Sequence, residues 1–155
     1  MADTKDVFKR YISLNDQDFS ISSVYKKAKE IVDDMGYFFV EKEQTIKPEK
    51  YGDEVRFSFN VSKEYDEFAK VEITIDFSFE NLDRSKKKDH GNAEVAVKAK
   101  QIFDYHNKWG MNVFNKFLFG IYKTIKKKEF EEKYTKRLFD DSTLIFDKIK
   151  EVLEA

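Results

Sequence analysis

Two alternating segments set the architecture of this chain: VRFSFNV at residues 55–61 and VEITIDFSF at residues 71–79. In both, β-branched or aromatic residues occupy the odd positions and polar residues occupy the even ones. Because successive side chains of a strand point to opposite faces, each segment predicts a strand with one dry face and one wet face. The residues between them are few enough for a hairpin connection. We therefore predict two neighbouring antiparallel strands.

An amphipathic helix is predicted ahead of these strands, at residues 20–35. Its apolar residues recur at spacings of three and four, which places them on one stripe of a helix. Ser20 or Ser22 is suited to cap its amino end, and Gly36 follows its carboxyl end, where a left-handed residue is common. We expect an ordinary surface helix here.

Two weaker segments complete the predicted sheet. Residues 37–40 begin a strand that fades into polar residues, and residues 93–99 alternate small apolar with charged side chains. Sequential strands joined by short turns usually pair antiparallel, so we expect a four-stranded antiparallel meander. Residues 1–19 show the weakest pattern and are expected to form an irregular N-terminal segment.

Helical periodicity returns in the last third of the chain. An apolar stripe runs from about Lys108 to Ile125, and a second one follows within residues 140–152. A sheet with one apolar face needs a cover, and helices placed before and after a run of strands usually supply it. The predicted fold is therefore α+β, a single domain over residues 1–155, with long C-terminal helices packed on one sheet face.

Composition excludes several classes of site. The chain has no cysteine, so disulfides, thiolate nucleophiles, Fe–S clusters and cysteine-ligated zinc are all ruled out. Its first residues lack the apolar core of a signal peptide, and the most apolar stretch, residues 113–125, is too short to cross a bilayer. We expect a cytoplasmic protein without a transmembrane segment.

No pattern in the chain predicts catalysis. The histidines, His90 and His106, have no metal-binding spacing, and the five glycines are too scattered for a phosphate-binding loop. Adjacent carboxylates such as Asp33 and Asp34 fall in turns or on wet faces, where they stay ionised. We predict no catalytic residue, no metal ligand and no cofactor, and we favour a binding domain over an enzyme.

The leading functional hypothesis is association with a protein partner, most simply a second copy of this chain. Residues 113–125 carry apolar side chains around more of the helix than one contact can bury, since Phe117, Leu118 and Phe119 are consecutive. An exposed remainder of this kind is typical of an oligomer interface.

An alternative hypothesis is a carrier of an apolar small molecule. A curved sheet that grips a long helix can enclose a pocket, as in helix-grip ligand carriers; this comparison rests on analogy of fold alone, without a shared motif. The predicted pocket residues are Phe57, Phe59, Phe77, Phe79, Phe114 and Phe117.

A third hypothesis follows from the uneven charge. Residues 29–80 hold 7 basic and 14 acidic residues, whereas residues 84–137 hold 15 basic and 6 acidic ones. Lysines in the 84–88 loop and the 123–128 helix segment are candidates for contacting nucleic-acid phosphates: Lys86, Lys87, Lys88, Lys123, Lys126, Lys127 and Lys128. A pI near 6.2 disfavours this hypothesis.

Overall fold

The computed structural model describes residues 3–42, 44–49, 52–65, 69–83, 89–103 and 134–154, with 117, 120–121, 124–125 and 128–129 between them. Within these residues, one antiparallel sheet contains six strands, and a 14-residue helix and a 19-residue helix flank it. The strands are β1 (Asp3–Phe19), β2 (Phe38–Glu41), β3 (Thr45–Glu49), β4 (Gly52–Glu64), β5 (Ala69–Asp83) and β6 (Asp89–Phe103). Helix α1 (Ile21–Asp34) lies between β1 and β2, and helix α2 (Lys136–Glu154) follows β6. The fold class is α+β, as predicted, but its sheet differs from the prediction.

The prediction of a four-stranded sheet was wrong, and the largest error lies at the amino end. The segment expected to be irregular forms β1, which is 17 residues long and pairs with β6. Its inward residues are buried, but the register shifts between Asp6 and Phe8 and again between Leu14 and Gln17. Because each shift interrupts the alternation of side chains, the strand carries no continuous period-two pattern.

The second error concerns the single strand predicted at residues 37–40. Two short strands, β2 and β3, occupy this part of the chain, and both pair with β4. Pro48 lies within β3, a position that an edge strand tolerates because the missing N–H group can face away from the ladder. The described side chains of both strands are exposed or half-buried. With no buried face among these side chains, these strands show only a weak alternating pattern.

The hairpin predicted from the two alternating segments is confirmed. Strands β4 and β5 pair antiparallel, with Phe57 opposite Phe77 and Phe59 opposite Ile75. The odd-numbered residues of both segments are buried. The strand order is β1-β6-β5-β4-β2, so α1 carries the chain from one edge of the sheet to the other.

The two helices cover the apolar face of the sheet. Helix α1 buries Val24, Ala28, Ile31 and Val32, and its amino end is capped by the Ser20 hydroxyl, which accepts from the Ser23 amide at 3.2 Å. Helix α2 contacts β1, β6 and α1. The expected long C-terminal helices need correction as well, because the C-terminal helix that packs on the sheet within the described residues is the 19-residue α2. Most of the helix predicted from Lys108 to Ile125 lies outside the described residues.

A bulge bends β5 near its end. Asn81 has a φ of 53°, and the pairing of β5 shifts register here with both neighbouring strands. Gly52 of β4 and Gly91 of β6 approach the bulge so closely that an added Cβ would lie 2.6 Å and 2.7 Å from β5 backbone atoms. Both positions therefore require glycine.

No helix in the described part of the chain has the length and apolar character needed to cross a membrane.

Candidate functional site

The four phenylalanines predicted to line a pocket on the sheet form a densely packed core. Phe57, Phe59, Phe77 and Phe79 are each at most 3% exposed, and the rings of Phe57 and Phe77 stack with centroids 4.5 Å apart. Further aromatic rings cover them: Tyr25 and Phe39 lie within 5.6 Å of this group, and Phe19 stacks on Phe79 at 5.4 Å. Such contacts are typical of a filled interior.

The structure does not bring the remaining predicted pocket residue to this core. Phe117 is helical and 64% exposed, and none of the ring contacts of the described residues joins it to the four sheet phenylalanines. Phe114 lies outside the described residues.

The predicted phosphate-contacting lysines fall almost entirely outside the described residues. This applies to Lys86, Lys87, Lys88, Lys123, Lys126 and Lys127. Lys128 is described, and its side chain is exposed on a helical segment.

An exposed apolar row lies on the helical segment that precedes α2. Phe117, Ile121 and Ile125 follow one another at intervals of four residues and are 64%, 47% and 63% exposed. Gly120 and Thr124 lie beside them, and the five residues, which we name the 117–125 face, line an open cleft of about 460 Å³. The Thr124 hydroxyl donates to the Gly120 carbonyl oxygen at 2.8 Å, so this polar group is satisfied within its own helix. The face is therefore predominantly apolar.

A polar group interrupts the apolar interior near the end of β6. Gln101 is fully buried on the inward face, opposite Val71 of β5 and Lys5 of β1. Its amide Nε2 donates to the Thr135 hydroxyl oxygen at 2.8 Å, while its carbonyl Oε1 has no hydrogen-bond partner among the described residues. Because an unsatisfied buried acceptor costs about 1–3 kcal/mol, Gln101 lowers the stability of the folded protein.

Tyrosines lie at the same end of the molecule. The Tyr37 hydroxyl donates to Asp141 Oδ2 at 2.8 Å, and the rings of Tyr65 and Tyr134 stack at 4.1 Å. Burial and the hydrogen bond to Asp141 raise the pKa of Tyr37, and burial raises the pKa of Tyr65 against the opposing effect of Arg137. Both phenols therefore stay protonated at neutral pH and act as neutral polar groups rather than as bases.

An open cleft separates the start of β1 from the start of α2. Its volume is about 450 Å³, and we name it the β1–α2 cleft. Both charged and apolar side chains line it: Lys5, Asp6, Val7, Thr135, Lys136 and Phe139. Thr135 both lines this cleft and accepts the hydrogen bond from the buried Gln101 amide. Gln101 is therefore one hydrogen bond away from a residue of the cleft wall.

His90 lies in a cluster of a different kind, at the edge between β1 and β6. Its Nδ1 is 2.6 Å from Asp18 Oδ1 and its Nε2 is 2.7 Å from Asp16 Oδ1. The hydrogen bond to Asp18, which has the larger effect, and the one to Asp16 raise the pKa of His90 above its usual value of 6.5. His106 lies outside the described residues. Within the described ranges, no three His, Asp or Glu side chains are placed to hold a metal ion together.

Sequence reasoning missed the Gln101–Thr135 pair, although one signal for it was present. Gln101 continues the series of inward positions that includes Ala93, Val95, Val97 and Ala99, so a polar residue stands where the pattern demands an apolar one. Thr135 carried no signal, because its partner is 34 positions away in the chain.

Comparison with known proteins assigns no role to these sites. The chain matches no family model, and no curated protein matches it.

Proposed function

We propose that this protein is a self-associating interaction module and that the 117–125 face packs against the same face of a second copy. The observation that carries the proposal is the row of Phe117, Ile121 and Ile125, three large apolar side chains left about half exposed on consecutive turns. Contiguous exposed apolar residues of this kind are typical of interaction surfaces.

The shape of the face favours a second copy as the partner. Phe117, Ile121 and Ile125 form a ridge with a spacing of four residues, and Gly120 and Thr124 form a shallow groove with the same spacing beside it. Two helices pack well when the ridge of each fits the groove of the other. Because ridge and groove lie on one surface, a two-fold axis can satisfy both at once, as in isologous dimers.

The energetics favour a weak dimer. Fully burying a large apolar side chain contributes about 1.5–3 kcal/mol, so six half-exposed side chains, three from each copy, contribute roughly 5–9 kcal/mol. The loss of translational and rotational freedom on association opposes this with about 4–15 kcal/mol. Since the two terms are of similar size, we expect a dimer whose population depends on protein concentration.

Sedimentation velocity over a wide range of protein concentration tests this proposal. The wild-type sedimentation coefficient should rise with concentration, and Ile121→Glu, which places a charge in the centre of the face, should remain monomeric. Leu144→Glu is the matched control, because Leu144 is 45% exposed on α2 and Ile121 is 47% exposed. A wild-type protein that is monomeric throughout would overturn the proposal, and so would equal effects of the two substitutions.

A further inference from the structure

We propose that the β1–α2 cleft binds a small organic monoanion, a carboxylate attached to a short apolar tail. This site is independent of the 117–125 face. Its volume of about 450 Å³ lies within the range of small-molecule sites, and it combines polar groups with apolar walls.

The hydroxyl of Thr135 provides the specific contact for an anion. The buried Gln101 amide donates to the oxygen of this hydroxyl at 2.8 Å, so the oxygen already accepts one hydrogen bond. No other hydrogen bond of this hydroxyl occurs among the described residues, and its proton is therefore available to a ligand in the cleft. A carboxylate, which only accepts hydrogen bonds, is the matching partner.

The charges around the cleft favour one negative charge on the ligand. Lys136 lines the cleft and forms no ion pair within the described part of the chain. Lys5 also lines it but is engaged by another group as well, so Lys136 is the principal cation. The carboxylate of Asp6 lies on the same wall, and its repulsion disfavours a multiply charged ligand.

Apolar side chains on two sides of the cleft match the hydrocarbon tail of the proposed ligand. Val7 lines one side of the cleft and Phe139, which is 40% exposed, lines the other. A short hydrocarbon chain between them would remove apolar surface from water.

The unsatisfied carbonyl of Gln101 supports a functional reading of this end of the molecule. A fully buried amide in an otherwise apolar face breaks the local rule for a core position, and such departures tend to occur at functional sites. Here the amide has a definite effect, because it occupies one acceptor position of the Thr135 hydroxyl oxygen and so favours donation by that hydroxyl to another group.

A titration with three small probes, followed in ¹H–¹⁵N correlation spectra, tests the site. Hexanoate should produce saturable shifts at the amides of Val7, Thr135 and Lys136. Acetate lacks the tail and hexanol lacks the charge, so each should bind at least about tenfold more weakly, a difference of about 1.4 kcal/mol. Absence of saturable shifts with hexanoate would overturn the proposal, as would equal binding of hexanol.

Substitutions at the site provide the second arm of the test. Thr135→Val removes the hydroxyl at nearly constant shape and should weaken hexanoate binding about tenfold, whereas Thr143→Val, whose hydroxyl bonds to its own helix, should not change it. Since Thr135→Val also removes the partner of Gln101 and can destabilise the fold, Lys136→Gln serves as a surface variant, with Lys150→Gln as its control. Unchanged hexanoate affinity in Lys136→Gln and in folded Thr135→Val would refute the assignment.

Discussion

Tyr37 and Asp141 are 104 positions apart in the chain, and their hydrogen bond ties the segment after α1 to α2. Tyr37 is 5% exposed, so its hydroxyl cannot exchange this partner freely for water. We expect Tyr37→Phe to lower the free energy of unfolding by about 1–2 kcal/mol, measured by urea denaturation. Tyr25→Phe is the control, because the Tyr25 hydroxyl donates to Glu41 at an exposed position and its loss should cost less. Equal losses would show that the burial of Tyr37 is unimportant.

The two carboxylates around His90 make stability depend on pH. Carboxylates accept hydrogen bonds, so both ring nitrogens must carry protons for both contacts to form, and the pKa of His90 is raised in the folded protein. A raised pKa stabilises the fold fully below the unfolded value of 6.5, and the contribution disappears as pH rises through the folded value.

The corresponding variant is His90→Gln. It should melt at a lower temperature than wild type near pH 6, and the difference should shrink as pH rises through the raised pKa of His90 and the wild-type imidazole loses its charge. Thermal melts at several pH values check this. A difference that stays constant with pH would contradict the charged interaction.

Individual residue contacts were the least predictable feature of the sequence. The residues next to His90 in the sequence do not reveal its contacts, because the residue lies in β6 and faces two aspartates of β1. Neither contact follows from local spacing, because Asp16 and Asp18 reach His90 only through the pairing of the first and last strands. The same reason applies to Gln101 and Thr135.

At the scale of the elements, the bulge in β5 predicts that alanine destabilises the protein more at Gly91 than at Gly36. Gly91 and Gly36 both have positive φ, 157° and 77°, but an added Cβ at Gly91 would lie 2.7 Å from the Glu80 carbonyl oxygen, while one at Gly36 would meet nothing within 4 Å. Gly36→Ala should therefore cost only the conformational penalty, about 1–2 kcal/mol. Gly91→Ala should cost clearly more, because the β5 backbone must move.

Urea denaturation of the two alanine variants measures this difference. Comparable losses in free energy of unfolding would show that the close approach of β6 to the bulge is unimportant for stability. The comparison is matched, since both residues start from a conformation that side chains disfavour.

Element prediction succeeded where one periodicity ran without interruption. Residues 55–61 and 71–79 alternate strictly, and their pairing was predicted and confirmed. Strand β1 was not predicted because two register shifts break its alternation. Strand β2 was predicted at residues 37–40, whereas β3 was not, because this short strand buries too little to show a pattern. Helix α1 was predicted from its spacing and its cap, and both are present.

For the molecule as a whole, the aromatic core tests whether the sheet face is packed or hollow. Phe77 is 2% exposed and contacts Phe57, Phe59 and Phe79. In a packed core, Phe77→Ala should lower the free energy of unfolding by about 3–5 kcal/mol. Phe38→Ala is the control, because Phe38 is 70% exposed and its removal should cost little. A loss below about 1 kcal/mol for Phe77→Ala would indicate a pre-existing cavity beside the ring.

The proposed interaction face could be predicted only in part. The sequence indicated more apolar surface around residues 113–125 than one contact can bury, but the stripe through Phe117, Ile121 and Ile125 was expected to face the sheet. In the structure these three side chains are exposed. Periodicity identifies an apolar stripe, but which neighbour covers it depends on tertiary packing that no local pattern encodes.

Cross-linking at a single introduced cysteine tests self-association through this face most directly, since the wild-type chain contains no cysteine. Thr124 lies in the groove of the face, so a two-fold dimer should bring the two copies of Thr124→Cys close together. We predict that a short bismaleimide will convert Thr124→Cys to a covalent dimer much faster than Thr143→Cys on α2, and that adding Ile121→Glu will abolish the difference. Equal, slow cross-linking of the two cysteine variants at high protein concentration would contradict the proposed dimer.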